Sequence, residues 1–170
     1  MENLEIILVD FRKEKLDQLL FEELQINIAK VKASHFYDKK TEKDIEFHKV
    51  KSVKSLLSPV GTGNILLSQL KLGCTIKEIL IVFSFDEENG DIVFNFPESA
   101  IFTGEKTKMK SNCKKLLKYF VGLKHKFDIS KVKIGYEPAT DDDTCLIELN
   151  DEIFDIDVGT DKMLIKSQMS

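Results

Sequence analysis

Histidine, cysteine and long apolar runs are scarce in this 170-residue chain, and each scarcity removes a class of function. No positively charged stretch after Met1 and Glu2 leads into a long apolar run, so neither a secretory leader nor a membrane-spanning helix is expected. Cys74, Cys113 and Cys145 are an odd set at wide spacing. They fit reduced thiols, buried as small hydrophobes in a cytoplasmic protein, better than a disulfide framework. No Cys-x-x-Cys pair offers a local zinc site. His35, His48 and His125 are far apart and none stands in a His-Glu-x-x-His spacing, so they read as surface or edge residues.

Catalytic signatures are missing too. Glu-x-Lys, which with a preceding acid would hold the metal of a nuclease, occurs nowhere. Gly61-Thr62-Gly63-Asn64 lacks both the third glycine of a dinucleotide fingerprint and the Gly-Lys-Ser/Thr of a phosphate loop, and reads as a turn. Ser58, Ser68 and Ser84 have no Gly-x-Ser-x-Gly setting. Cys145 lies in an alternating apolar pattern, which favours burial over nucleophilic work. Asp141-Asp142-Asp143 has neither the alternate ligands nor the glycine and distal glutamate of a calcium loop, and reads as a solvated turn. No cofactor and no resident metal are expected, and the chain reads as a binding protein rather than an enzyme.

What is present is enough for one domain over residues 1–170, since 42% of the residues are hydrophobic and can bury a continuous core. The apolar run at residues 4–11 reads as a strand. Leu16, Leu19, Leu20, Leu24 and Ile28 then recur at three- and four-residue steps, which predicts a core-facing helix. Residues 30–54 are lysine-rich and mixed, with a possible strand at 45–47 and a helix after Lys49 that Ser58-Pro59 ends. Two alternating runs at 79–85 and 92–96 flank an acidic segment containing Asn89-Gly90, which tolerates positive φ, so they form a hairpin that Pro97 closes.

Met109, Cys113, Leu116, Leu117, Phe120, Leu123 and Phe127 define another amphipathic helix, with Ser111 or Thr107 as its cap. Strands follow at 132–136 and 145–149, then a last strand at 153–158 with a ragged end at 163–165. This order predicts an α+β fold: a mainly antiparallel β-sheet with two or three amphipathic helices packed on one face.

Charge is segregated by sign. The formal net charge is only −4, which gives no global signature of direct nucleic-acid binding. Lys106, Lys108, Lys110, Lys114, Lys115, Lys118, Lys124 and Lys126 nevertheless crowd one helix, and the following third of the chain is acidic. Two hairpin turns carry clustered carboxylates: Glu137, Asp141, Asp142 and Asp143, and then Asp86, Glu87 and Glu88. Within one sheet they would form one negative surface suited to a basic protein partner. In a rival reading, Asp141, Asp142, Asp143 and Glu148 hold a divalent metal in a small enzyme acting on nucleotides or nucleic acid, with the helix lysines guiding phosphates. Hairpin edges leave a monomer or a weak homodimer open.

Gly61-Thr62-Gly63-Asn64, the 79–97 hairpin and Ile134-Gly135-Tyr136-Glu137-Pro138-Ala139 through Leu149 together resemble the small cytosolic α+β immunity proteins of bacterial polymorphic-toxin and contact-dependent growth inhibition systems. The likeness spans residues 61–149 and is one of size, composition and strand order. It implies a protein that binds and neutralises one cognate toxin domain, often a nuclease, inside the producing cell, and it carries over no site residues.

Overall fold

A computed structural model of the chain describes residues 2–169. Eight strands form one sheet in the order β3-β2-β4-β5-β6-β1-β7-β8, and every neighbouring pair is antiparallel. They are β1 Asn3–Arg12, β2 Val31–Asp38, β3 Lys43–Asp44, β4 Gly61–Leu72, β5 Cys74–Phe85, β6 Asn89–Pro97, β7 Lys131–Tyr136 and β8 Cys145–Leu149. Ile65, Ile81, Phe94, Ile6, Ile134 and Ile147 are paired in turn across six strands, and all are buried. A second row, Phe83, Ile92, Leu8, Val132 and Leu149, lies parallel to it on the same face.

Helix α2, Lys106–Lys126, covers these rows. Its buried stripe, Cys113, Leu116, Leu117, Phe120 and Leu123, follows the three- and four-residue steps of an amphipathic helix. Phe120 meets Phe94 edge-on at 5.7 Å, and Phe127, just past the helix end, meets Phe11 at 5.8 Å. The capping expectation fails, because the N-cap position is Glu105 and no side chain caps the helix. The opposite face of the sheet carries alternate residues such as Leu66, Leu80, Val82 and Val93, which stay partly exposed.

Several expectations are corrected. The core-facing helix foreseen from Leu16 is present, with Leu16, Leu19, Leu20 and Leu24 buried, but it is irregular and short: the helical backbone over 13–23 is 3-10 at Lys13–Lys15 and π at Gln18–Glu23, and it ends at Leu24 instead of reaching Ile28. Gln25 has φ +52, which resets the phase, so Ile26 is buried and Ile28 is 77% exposed. In the lysine-rich middle, β2 was unforeseen, residues 45–47 are not a strand, and the helix after Lys49 is one turn, α1 Val53–Leu56. Residues 61–64 are strand, not turn: the Phe36 ring of the adjacent strand lies over Gly63, and a Cβ there would be 2.4 Å from it.

The foreseen strand at 153–158 is instead the approach to and start of helix α3, Ile156–Met169. The Asp155 carboxylate accepts from the backbone N–H of Asp157 (3.0 Å) and Val158 (3.1 Å), starting the helix as an N-cap does. Thr160, Met163 and Leu164 then point inward while Val158 and Ile165 stay exposed.

A bulge in β1 decides what its end presents. The register shifts between Leu8 and Phe11, and Asp10 adopts φ +53. Strict alternation would turn Phe11 and Lys13 outward, whereas the extra residue buries both and leaves Asp10 exposed.

Gly63 and Gly122 give a paired test. Gly63→Val must displace the Phe36 ring, so it should cost about 1–3 kcal/mol in chemical denaturation. Gly122 is exposed inside α2 with nothing within 4 Å of a Cβ, so Gly122→Ala should add about 0.5–1 kcal/mol.

Candidate partner-binding surfaces

The β5–β6 turn is built from Asp86, Glu87 and Glu88, whose side chains are exposed. Asn89 and Gly90 do not form it, contrary to expectation: both belong to β6 without positive φ, and Gly90 sits where a Cβ would be 2.4 Å from the Phe85 ring. The turn is braced. Asp86 N–H donates to the Asn89 carbonyl (2.8 Å), and Lys13 N–H donates to the Glu88 carbonyl (2.8 Å). The β1 bulge adds Asp10, whose N–H donates to the Asp91 carboxylate at 3.1 Å. Asp10, Asp86, Glu87, Glu88 and Asp91 line an open hollow of 690 Å³; Lys39 donates to the carbonyl of Val60 at its rim, and Arg12, Lys13 and Lys54 line the adjoining hollow that shares Glu87 and Glu88.

Behind the turn, the buried Lys13 ammonium donates to the carbonyls of Leu57 (3.0 Å) and Pro59 (2.9 Å). Burial, and secondarily Lys39, lower its pKa, while Asp86 and Glu87 pull it back up. The acidic turn therefore helps to hold a charge that the fold has buried.

The β7–β8 turn is equally ordered. Glu137 N–H donates to the Asn3 carbonyl (3.1 Å), Asp141 N–H to Pro138 (3.2 Å) and Cys145 N–H to Asp141 (2.9 Å). Ala139 is fully buried, and its N–H donates to the Glu5 carboxylate at 3.0 Å. Glu137, Asp141, Asp142 and Asp143 are left exposed on this frame.

The two turns do not merge into one patch. Gly90 pairs with Phe11 at one end of β1, whereas Tyr136 pairs with Leu4 at the other, where Phe96 also pairs. Antiparallel neighbours thus place the turns at opposite ends of the sheet, roughly 20 Å apart along β6.

The cationic helix is partly neutralised by other elements: Lys114 faces Asp157 (3.1 Å), Lys124 faces Asp151 (3.7 Å) and Lys126 faces Glu23 (2.6 Å). Lys115 and Lys118 are exposed. Glu148 lies 3.7 Å from Lys131 rather than joining the Asp141–143 carboxylates. Among the described residues no group of three or more histidines, cysteines and acids stands close enough to hold a metal ion. His35, His48 and His125 are all exposed.

Cys113 is buried, but Cys74 and Cys145 are only partly so, which corrects the expectation of three buried thiols. Burial raises the pKa of all three, and that of Cys113 to about 12, with Cys74 adding to the rise. Thiols held protonated in this way are not activated nucleophiles. Among the described residues no helix is long and apolar enough to cross a membrane.

A single antiparallel sheet with helices on one face, and carboxylates presented on hydrogen-bonded turns, defines a small α+β binding protein. The chain belongs to the PABL017 Cdi1I immunity protein family, whose model matches residues 2–152. It is accordingly an immunity protein, an antitoxin that binds a toxin, and not an enzyme. No curated protein matches it. In fold it is similar to a chain of the crystal structure of the toxic C-terminal tip of CdiA from Pseudomonas aeruginosa in complex with immune protein. The identity is 17%, the match covers 90% of this chain and 97% of that one, and the TM-score is 0.64.

Cys113 gives a pH test of this core. The folded chain keeps a thiol proton that the unfolded chain releases above 9.0, so the contribution is complete below pH 9.0 and is lost as pH rises toward about 12. Lys13, whose pKa is lowered, acts in the opposite sense. Urea unfolding at about pH 8 and about pH 10.5 should therefore show a smaller alkaline loss for Cys113→Val than for the unsubstituted chain, the difference approaching at most about 1.4 kcal/mol per pH unit.

Proposed function

We propose that this protein neutralises one cognate toxin domain in the cytoplasm of the producing cell by setting rigid carboxylates against a basic toxin surface, without catalysis and without contacting nucleic acid itself. The observation that carries the reading is the hollow at the β5–β6 turn, which five carboxylates line. A toxin acting on nucleic acid, such as a nuclease, must offer phosphates a cationic surface, and carboxylates held on short turns can cover it with little loss of conformational entropy. Glu137, Asp141, Asp142 and Asp143 form a second acidic pole, which a partner reaches by spanning the sheet from end to end. Asp86 and Glu87 have a further role in offsetting the burial of Lys13. Glu88 is therefore the cleaner probe.

Charge reversal separates contact from fold. With the cognate toxin domain as the probe, Glu88→Lys should slow association about tenfold and flatten its dependence on salt. Fold stability should stay within about 0.5 kcal/mol, as for other surface changes. Asp142→Lys should act in the same direction, and Lys118→Glu on the cationic helix should change little. Binding abolished by Lys118→Glu but indifferent to both acidic changes would overturn the reading and point to an acidic partner surface.

A further inference from the structure

The sheet has a bare edge. Strand β3 pairs only with Tyr37 and Asp38, leaving residues 31–35 of β2 without a strand on that side. The direction of the backbone follows from two hydrogen bonds. The Lys30 carbonyl accepts from Ser68 N–H on the β4 side, whereas the Phe36 carbonyl accepts from Ile45 N–H on the outer side. Alternation along the strand then turns the N–H and C=O of Ser34 outward with those of Phe36. Below this edge runs an open groove of 650 Å³ whose apolar lining comes from Phe21, Ile26, Ala29, Val31, Phe47 and Val50. The Ser34 hydroxyl accepts from Phe47 N–H at 3.2 Å and holds the groove's far wall in place.

Exposed backbone groups beside an apolar groove meet both requirements for strand addition, in which main-chain hydrogen bonds supply affinity and alternate side chains fill pockets. The surrounding charge selects the occupant. Residues 30–54 carry eight lysines against four acids, in a chain whose net charge is −4. Lys32 lines the groove but is paired with Glu78 at 2.8 Å, and Glu46 lines it as well, so the excess cations are Lys30, Lys49 and Lys51, exposed on the adjoining segments. A second copy pairing edge to edge would bring these lysines together, an arrangement that like-charge repulsion disfavours. An acidic strand would be drawn in.

We infer that the β2 edge receives an extended segment of the toxin domain, apolar at alternate positions and acidic at its flanks, as an added antiparallel strand. The inference rests on the chain having a toxin partner, not on the acidic turns.

Hydrogen exchange read by mass spectrometry on the full chain, alone and saturated with the inactivated cognate toxin domain, tests it. Within residues 31–35 the amides that face away from β4, Ser34 first among them, should exchange at least about tenfold more slowly in the complex, with no comparable change along the free edge of β8. Ala29→Arg, which blocks the groove, and Ser34→Pro, which removes an outward N–H, should each weaken binding about tenfold or more. The exchange experiment needs neither variant to fold. A complex that forms without protecting residues 31–35 would overturn the inference even if Glu88→Lys behaves as proposed. Protection of the same residues that grows with the concentration of the chain alone would overturn it in favour of a second copy. Absence of any complex would overturn the toxin-binding reading along with it.

Discussion

One row of apolar residues running from Ile65 through Ile81, Phe94, Ile6 and Ile134 to Ile147 ties six strands into a single buried surface. One inner member, Ile6, comes from the N-terminal strand, which is inserted between β6 and β7, so segments nearly ninety to one hundred and thirty residues apart in sequence must meet before the row is continuous. Removing a ring from such a row costs both transfer energy and a cavity, about 3–5 kcal/mol for a phenylalanine. Helix α2 is held by the same row, since Phe120 docks on Phe94. The helix and the strands therefore depend on one layer of contacts.

Departures from regular pairing shape what that layer presents. The bulge at Asp10 buries Lys13 and exposes Asp10 beside the β5–β6 turn. A second displacement occurs in β5, where Glu78 has φ +56, so Ile76 and Ile79 both point inward although three residues apart. Glu78 is thereby free to meet Lys32 of β2 at 2.8 Å. In both places an acidic residue occupies a strained position on the surface while its neighbours complete the core.

The surface that results is polar in the electrical sense. Carboxylates lie at both ends of the sheet, and lysines concentrate at its β2 edge. An immunity protein must recognise one toxin among related ones, and opposite charges at separate places on a rigid sheet fix orientation as well as attraction. Backbone hydrogen bonding at an open edge adds affinity with little dependence on side-chain identity, which leaves discrimination to the groove and the charged rim.

Strands β1, β5, β6, β7 and β8 and helix α2 were legible because each buries one face and shows the period of its geometry. Strand β2 was not, since only Phe36 of its eight residues is buried and an edge strand carries little alternation to read. Helix α3 was mistaken for a strand because Ile153 and Val158 suggested alternation, although both are exposed and it is the Asp155 cap that starts the helix. The acidity of both turns was visible, but not their separation. The chain by itself determined its class, its strongest strands, its missing catalytic motifs and the residues that carry charge, because these depend on local pattern and residue type. Tertiary structure alone decided which strands became neighbours, which end of the sheet each turn occupies, why Gly63 must lack a side chain and where an open edge meets an apolar groove, because those follow from pairings between residues far apart in sequence.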